Sequence, residues 1–124
     1  YLTMCVGCEL ANFKPHRGNY DSDGYSYTAP ANSYNPNEFG LYNMSGNVAE
    51  WCIDAYSDNV VAVSWDLNTV NNDPENPKKV IRGGSWKDVG YYLETGTRAY
   101  ELENQKRSYI GFRCMMRYLG RPKN

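Results

Sequence analysis

The sequence GLYNMSGNVAEWCID, from Gly40 to Asp54, changes character halfway along. Its first half is rich in asparagine and glycine, which favour turns. From Val48 to Asp54, apolar and polar side chains alternate as in a half-buried β-strand. The alternation puts Glu50 on the face opposite Trp51 and Ile53. We therefore predict a turn that offers oxygen ligands, followed at once by a strand that carries a carboxylate.

Two further segments have the character of strands. Val80 to Arg82 leads into Gly83 and Gly84, where paired glycines allow a tight bend. From Ile110 to Met116 the alternation predicts a second half-buried strand. Directly before Val80, the polar run from Asn68 to Lys79 contains two prolines and predicts an exposed loop. Helical periodicity is absent over windows longer than about ten residues.

Length and composition indicate one globular, loop-rich domain. The chain has 124 residues, 41% of them hydrophobic, which is enough for a single core. Its net charge of −1 lacks the basic field that nucleic acid binding needs. No stretch approaches the roughly 20 apolar residues of a membrane helix. The chain opens at Tyr1, within sequence of structured character, so we expect it to be a piece of a longer protein.

The four cysteines permit three disulfide pairings, and the sequence selects none of them. They are Cys5, Cys8, Cys52 and Cys114. The first two have the CxxC spacing of half a zinc site, but no second pair or histidine pair completes four ligands. Extracytoplasmic disulfides are therefore the favoured interpretation over zinc.

Other patterns that could carry chemistry are incomplete. Asn19 to Gly24 imitates the start of an EF-hand, but Pro30 stands where that loop needs its bidentate glutamate. His16, the only histidine, lies in a basic loop without an obvious partner. Gly83 and Gly84 lack the lysine and helix of a phosphate loop. We predict no catalytic residue from these patterns.

Several ordered motifs resemble the C-terminal part of the formylglycine-generating enzyme, or sulfatase-modifying factor, superfamily. They are TAPANSYNPNEFGLYNMSGNVAEW, VIRGGSW and YIGFRC, and the resemblance runs from Leu10 to Arg117. It implies an irregular α+β fold of the C-type-lectin-like kind, low in regular structure. It also implies that residues 1–124 are the C-terminal portion of one such domain, whose N-terminal portion is missing. The stretches SYNPNEFGLYNMSGNVAEWCIDAY and GGSWKDVGYYLETGTRAYE look most like the gliding-motility and type IX secretion lipoproteins of the GldK/PorK type.

The resemblance implies two structural calcium sites. One would use the Asn43 side chain, the carbonyls of Gly46 and Val48, and the Glu50 carboxylate. The other would use four residues nearer the N-terminus: Asn12, Phe13, Asp23 and Tyr25. Oxygen ligands of these types suit a hard cation. The alternative is that the asparagines only brace turns and that Glu50 pairs with a nearby arginine.

The chain departs from the family at its copper centre. The positions that match the two copper-binding cysteines are Asp88 and Leu93, and neither supplies the thiolate that copper(I) needs. We therefore expect neither copper binding nor enzymatic activity. The resemblance matches Cys114 to a structural cysteine whose disulfide partner would lie before residue 1.

Together these features predict a non-catalytic, calcium-stabilised subunit of the periplasmic ring of the type IX secretion and gliding-motility machinery. Its partners would be a second ring protein and copies of itself. It would be held at the outer membrane through an N-terminal lipid anchor. Two alternatives stay open: a copper-dependent oxidase of the same superfamily, and a lectin-like module with Trp86 and nearby tyrosines lining a ligand pocket.

Overall fold

The computed structural model describes residues 10–15, 24–59 and 70–116. Four strands and one short helix lie within these ranges. The strands are β1 (Ala49–Ala55), β2 (Lys78–Arg82), β3 (Ala99–Leu102) and β4 (Ile110–Gly111). A 3₁₀ helix, Gly90–Leu93, precedes β3. The rest of the described chain is turn and loop, as the composition predicts, and its helix is too short to cross a membrane.

The strands form one mixed sheet in the order β3-β2-β1-β4. The β1–β2 and β2–β3 pairs are antiparallel, whereas β4 lies parallel to β1. In register, Glu50 faces Arg82 across β1–β2, and Gly111 lies beside Glu50 on the other side. The sheet therefore places Glu50 in a central strand, flanked by segments far away in sequence.

The predicted strand from Val48 to Asp54 is confirmed with a shift of one residue, but its predicted faces are wrong beyond Trp51. Ile53 is 79% exposed, while Ala55 is fully buried. The register explains the error, because Trp51 pairs with Ile81 and Ala55 pairs with Lys79, so four steps on β1 span two on β2. Such an irregularity breaks the period-two alternation on which the prediction rested.

The predicted half-buried strand from Ile110 to Met116 is also wrong in extent. Only Ile110 and Gly111 pair with β1. Phe112, Met115 and Met116 are 80%, 93% and 87% exposed in the described structure. The β1–β4 pairing stops at Glu50, just before the register of β1 becomes irregular. The residues after Gly111 therefore alternate like a strand but have no neighbouring strand among the described residues to pair with.

The bend after β2 is confirmed. Gly83 and Gly84 both have positive φ, at 90° and 67°. A Cβ on Gly84 would lie 2.7 Å from Cδ1 of Leu93 and 3.0 Å from the carbonyl oxygen of Tyr92. Because Gly84 has no side chain, the 3₁₀ helix packs directly on the bend, and Leu93 is buried there.

Candidate functional site

The turn before β1 is built from left-handed residues. Asn43, Gly46 and Asn47 have φ of 50°, 83° and 70°, and the two asparagines are the described non-glycine residues with positive φ. Asparagine tolerates this conformation better than other side chains. A Cβ on Gly46 would lie only 2.6 Å from the carbonyl oxygen of Asn12. The turn therefore packs its backbone directly against the segment that contains Asn12.

Asn47 joins three separate segments of the chain. Its side-chain Oδ1 accepts a hydrogen bond from the backbone N–H of Ala29 at 2.8 Å, and its Nδ2 donates to the Ala29 carbonyl at 3.0 Å. Its backbone N–H donates to the Asn12 carbonyl at 2.7 Å, and its carbonyl accepts from the N–H of Trp86 at 2.9 Å. Sequence reasoning treated this residue only as a turn former. The Gly46-Asn47 pair, typical of left-handed backbone, was the available sequence signal.

Glu50 forms an ion pair with Arg113. Nε of Arg113 lies 3.0 Å from each carboxylate oxygen, and Nη2 lies 2.7 Å from Oε1. Nη2 also donates to the carbonyl of Tyr42 at 2.8 Å. The bond to Glu50 raises the pKa of Arg113, so the guanidinium stays charged. The arginine pairing that the sequence left open is thus present, across 63 positions of sequence.

The Asn43–Glu50 turn has ligand types that suit calcium. Nδ2 of Asn43 donates to the Ala31 carbonyl at 2.9 Å. The side-chain oxygen of Asn43 therefore points away from Ala31. A carboxylate has about four acceptor positions, and Arg113 makes three bonds to Glu50. The described ranges gather no group of three or more His, Cys, Asp and Glu side chains. Calcium here would rest on amide and carbonyl oxygens, with Arg113 sharing the carboxylate.

The second predicted calcium set is only partly described. Asn12 is buried, and its Nδ2 donates to the Tyr27 carbonyl at 2.6 Å. This bond ties Asn12 to the segment that contains Tyr25, as a shared site requires. Phe13 follows directly in the described chain, whereas Asp23 lies outside the described residues. The set therefore stays a prediction, as does the incomplete EF-hand pattern from Asn19 to Gly24, most of which is also outside.

Asp88, one of the two positions matched to a copper ligand, is used to close a turn. Its Oδ2 accepts hydrogen bonds from the Ser85 hydroxyl at 2.6 Å and from the Ser85 backbone N–H at 3.0 Å. Its own N–H donates to the Ser85 carbonyl at 3.0 Å. Lys87 adds an ion pair, with Nζ 3.6 Å from Oδ1. Since Ser85 is fully buried, the pair braces the bend after β2 and offers no exposed nucleophile.

Leu93, the other matched position, belongs to the core. It is 3% exposed and lies at the end of the 3₁₀ helix, over Gly84. The carbonyl of Leu93 accepts a hydrogen bond from the Ser45 hydroxyl at 3.1 Å. Leu93 therefore packs the 3₁₀ helix on the bend after β2, and its carbonyl links the helix to the turn before β1.

The two described cysteines, Cys52 and Cys114, have no disulfide partner among the described residues. Burial raises the pKa of Cys52, so this thiol favours its protonated, less nucleophilic form. Cys114 is exposed. Cys5 and Cys8 lie outside the described residues, so their pairing stays a prediction.

Aromatic rings surround the bend after β2. Trp86 packs edge-on against Tyr27, with ring centroids 5.1 Å apart and an interplanar angle of 78°. Tyr91 and Tyr92, in the 3₁₀ helix, form a similar pair and are both exposed. The buried indole Nε1 of Trp86 has no hydrogen-bond partner among the described residues. Of the rings named for a lectin-like pocket, Trp86 contacts Tyr27, which is itself 67% exposed, and Tyr91 and Tyr92 contact each other.

Known proteins are similar to this chain in sequence. The formylglycine-generating enzyme of Thermomonospora curvata is 35% identical over 99 residues, which cover 74% of this chain and 32% of the enzyme. A serine/threonine-protein kinase pkn1 of Chlamydia pneumoniae is 36% identical over 94 residues, 70% of this chain and 14% of the kinase. The chain thus spans about a third or less of the length of these relatives.

Structure and family comparisons agree with each other. PvdO from Pseudomonas aeruginosa superposes with a TM-score of 0.69 at 32% identity, over 82% of this chain and 37% of PvdO. The model of the sulfatase-modifying factor enzyme 1-like domain matches residues 7–118. The expected irregular α+β fold, low in regular secondary structure, is confirmed. The chain belongs to the formylglycine-generating enzyme, or sulfatase-modifying factor, family.

Proposed function

We propose that this chain is a non-catalytic, structural member of the formylglycine-generating enzyme family. The observation that carries the proposal is the identity of Asp88 and Leu93, at the positions matched to the copper-binding cysteines. A copper(I) centre needs soft sulfur ligands, and a carboxylate and an isobutyl group cannot replace them. Both side chains also have structural work in this fold, since one closes a turn and the other fills the core.

This role is tested by assaying the intact protein for formylglycine formation. The substrate is a cysteine peptide that the Thermomonospora curvata enzyme converts, and conversion is followed by mass spectrometry with that enzyme as positive control. We expect no conversion with or without added copper. Turnover at a rate within about tenfold of the control would overturn the proposal.

The finer role we propose is that of a ring subunit in the type IX secretion and gliding-motility machinery, on the periplasmic side of the outer membrane. The support is the likeness of SYNPNEFGLYNMSGNVAEWCIDAY and GGSWKDVGYYLETGTRAYE to the GldK/PorK lipoproteins. The test is to isolate the intact protein from cell envelopes after cross-linking. We expect a large particle that contains several copies and a second protein. A monomer in the cytoplasmic fraction would contradict this role.

We further propose that calcium stabilises the domain. Its ligands would come from the Asn43–Glu50 turn and from the set that includes Asn12. A cation that binds only the native state stabilises it by about 2.7 kcal/mol when its free concentration is a hundredfold above its dissociation constant. Chelation should therefore lower the melting temperature of the intact protein, and Glu50→Gln should remove most of that sensitivity.

A matched control is available for the calcium test. Glu103 is a carboxylate that pairs with Lys79, with 3.6 Å between Nζ and Oε2, and it lies outside both predicted calcium sets. Glu103→Gln should leave the response to chelation unchanged. If neither chelator nor added calcium changes the melting temperature of the unmodified protein, calcium does not stabilise the domain. The proposed non-catalytic role would be unaffected by that result.

The second candidate function is a copper-dependent oxidase, because the relative from Thermomonospora curvata is named a formylglycine-generating enzyme. That activity would need copper ligands other than Asp88 and Leu93. The described thiols are the partly buried Cys52 and the exposed Cys114. Activity that is lost on replacing either cysteine by serine would favour this candidate over the structural role.

A further inference from the structure

Arg113 contacts the Glu50 carboxylate, so a calcium ion in the Asn43–Glu50 turn would have to share that carboxylate with Arg113. Its guanidinium contacts both oxygens of Glu50 and also the carbonyl of Tyr42, the residue directly before Asn43. It therefore bridges the strand end and the turn end of the predicted calcium site. The side chains of Arg113 and Glu50 are 28% and 25% exposed, so water screens the pair only in part.

We propose that Arg113 sets the calcium affinity of this turn, by competing with the ion for the Glu50 carboxylate. The inference rests on the calcium site proposed above. Two effects act in the same direction. The guanidinium already neutralises the carboxylate, and its positive charge repels a second cation held within a few ångströms. Calcium affinity in proteins rises with the number of uncompensated ligand charges, so removing Arg113 should tighten binding.

The same competition has a consequence for the segment after β4. Arg113 belongs to this segment and donates hydrogen bonds to the Glu50 carboxylate and to the Tyr42 carbonyl. Phe112 and Met115, on either side of it along the chain, are exposed. A calcium ion that draws Glu50 away weakens this attachment. Calcium binding and docking of the 112–116 segment are therefore opposed in the unmodified protein.

The experiment is a calcium titration of the intact protein by isothermal calorimetry, in three versions. Arg113→Gln removes the charge and should lower the dissociation constant by about tenfold or more. Arg113→Lys keeps the charge but loses the bidentate geometry, and should give a smaller shift in the same direction. Arg107→Gln is the control, because Arg107 also pairs at 2.7 Å with a glutamate, Glu101 of β3, that belongs to neither predicted calcium set. It should not change the dissociation constant.

The outcomes separate this inference from the function on which it rests. Tighter calcium binding in Arg113→Gln that disappears when Glu50→Gln is added supports the competition. Unchanged or weaker binding in both Arg113 variants, with the unmodified protein still binding calcium through Glu50, overturns it and leaves the calcium site standing. Absence of calcium binding in every version overturns both. If Arg113→Gln does not fold with or without calcium, Arg113→Lys decides between the same results.

Discussion

Asn47→Ala is expected to lower the free energy of unfolding by about 3 kcal/mol. The side chain is 7% exposed and makes two hydrogen bonds to Ala29. Its removal leaves a buried N–H and a buried carbonyl of Ala29 unpaired, at roughly 1 to 1.5 kcal/mol each. Alanine at a φ of 70° adds up to about 1 kcal/mol, because it meets the same Cβ crowding as asparagine but lacks the polar side chain that favours asparagine in this conformation. This sum is a large share of the 5 to 15 kcal/mol typical of a domain.

The measurement is urea unfolding of the intact protein and two variants, followed by tryptophan fluorescence. Asn47→Gly loses the same two hydrogen bonds but adopts positive φ freely, so it should be more stable than Asn47→Ala by about 1 kcal/mol. That difference isolates the backbone contribution. A loss below about 1 kcal/mol in Asn47→Ala would refute the claim that this residue joins the turn to the Ala29 segment.

Three other predictions use different parts of the fold. Gly84→Ala should cost about 2 to 4 kcal/mol in thermal unfolding, since its Cβ meets Leu93 at 2.7 Å, whereas Gly24→Ala, with open space around it at a similar φ, should cost only about 1 to 2 kcal/mol. The hydrogen bond from Arg107 lowers the pKa of Glu101. Its stabilisation should therefore be complete above the ordinary glutamate pKa of about 4.3, and should fall away at lower pH. When the free energy of unfolding is measured as the pH is lowered, Glu101→Gln should lack this loss of stability. If the variant and the unmodified protein lose stability identically with falling pH, the pairing is contradicted. Mass mapping of a non-reduced digest should find Cys114 linked to a cysteine outside residues 1–124, and a link to Cys5, Cys8 or Cys52 would count against the family pattern.

Local features of the fold could be predicted where the backbone decides them. The bend at Gly83 and Gly84 and the strand before it depend on conformational freedom and alternation over a few residues. The strand after the Asn43–Asn47 turn was predicted to within one residue for the same reason. Predictions of this kind depend only on neighbouring residues, so a single sequence is enough to make them.

Features that depend on distant partners could not be predicted in the same way. Ile110 to Met116 has the pattern of a strand, but its ladder partner on β1 is regular only beside Ile110 and Gly111. The exposure of Ile53 follows from a register irregularity that no alternation pattern encodes. The Glu50–Arg113 pair was open as an alternative, because charge alone does not say which arginine folds back across 63 positions.

The non-catalytic role depends most directly on whether Asp88 and Leu93 can hold copper. The measurement is a copper(I) titration of the reduced, intact protein against a competing chelator, read by thiolate-to-metal absorption. We expect no tight site near Asp88 and Leu93 in the unmodified protein. The double variant Asp88→Cys, Leu93→Cys should gain a stoichiometric site if the scaffold keeps the family geometry. A stoichiometric, high-affinity copper site near Asp88 and Leu93 in the unmodified protein would contradict the structural role and favour an oxidase.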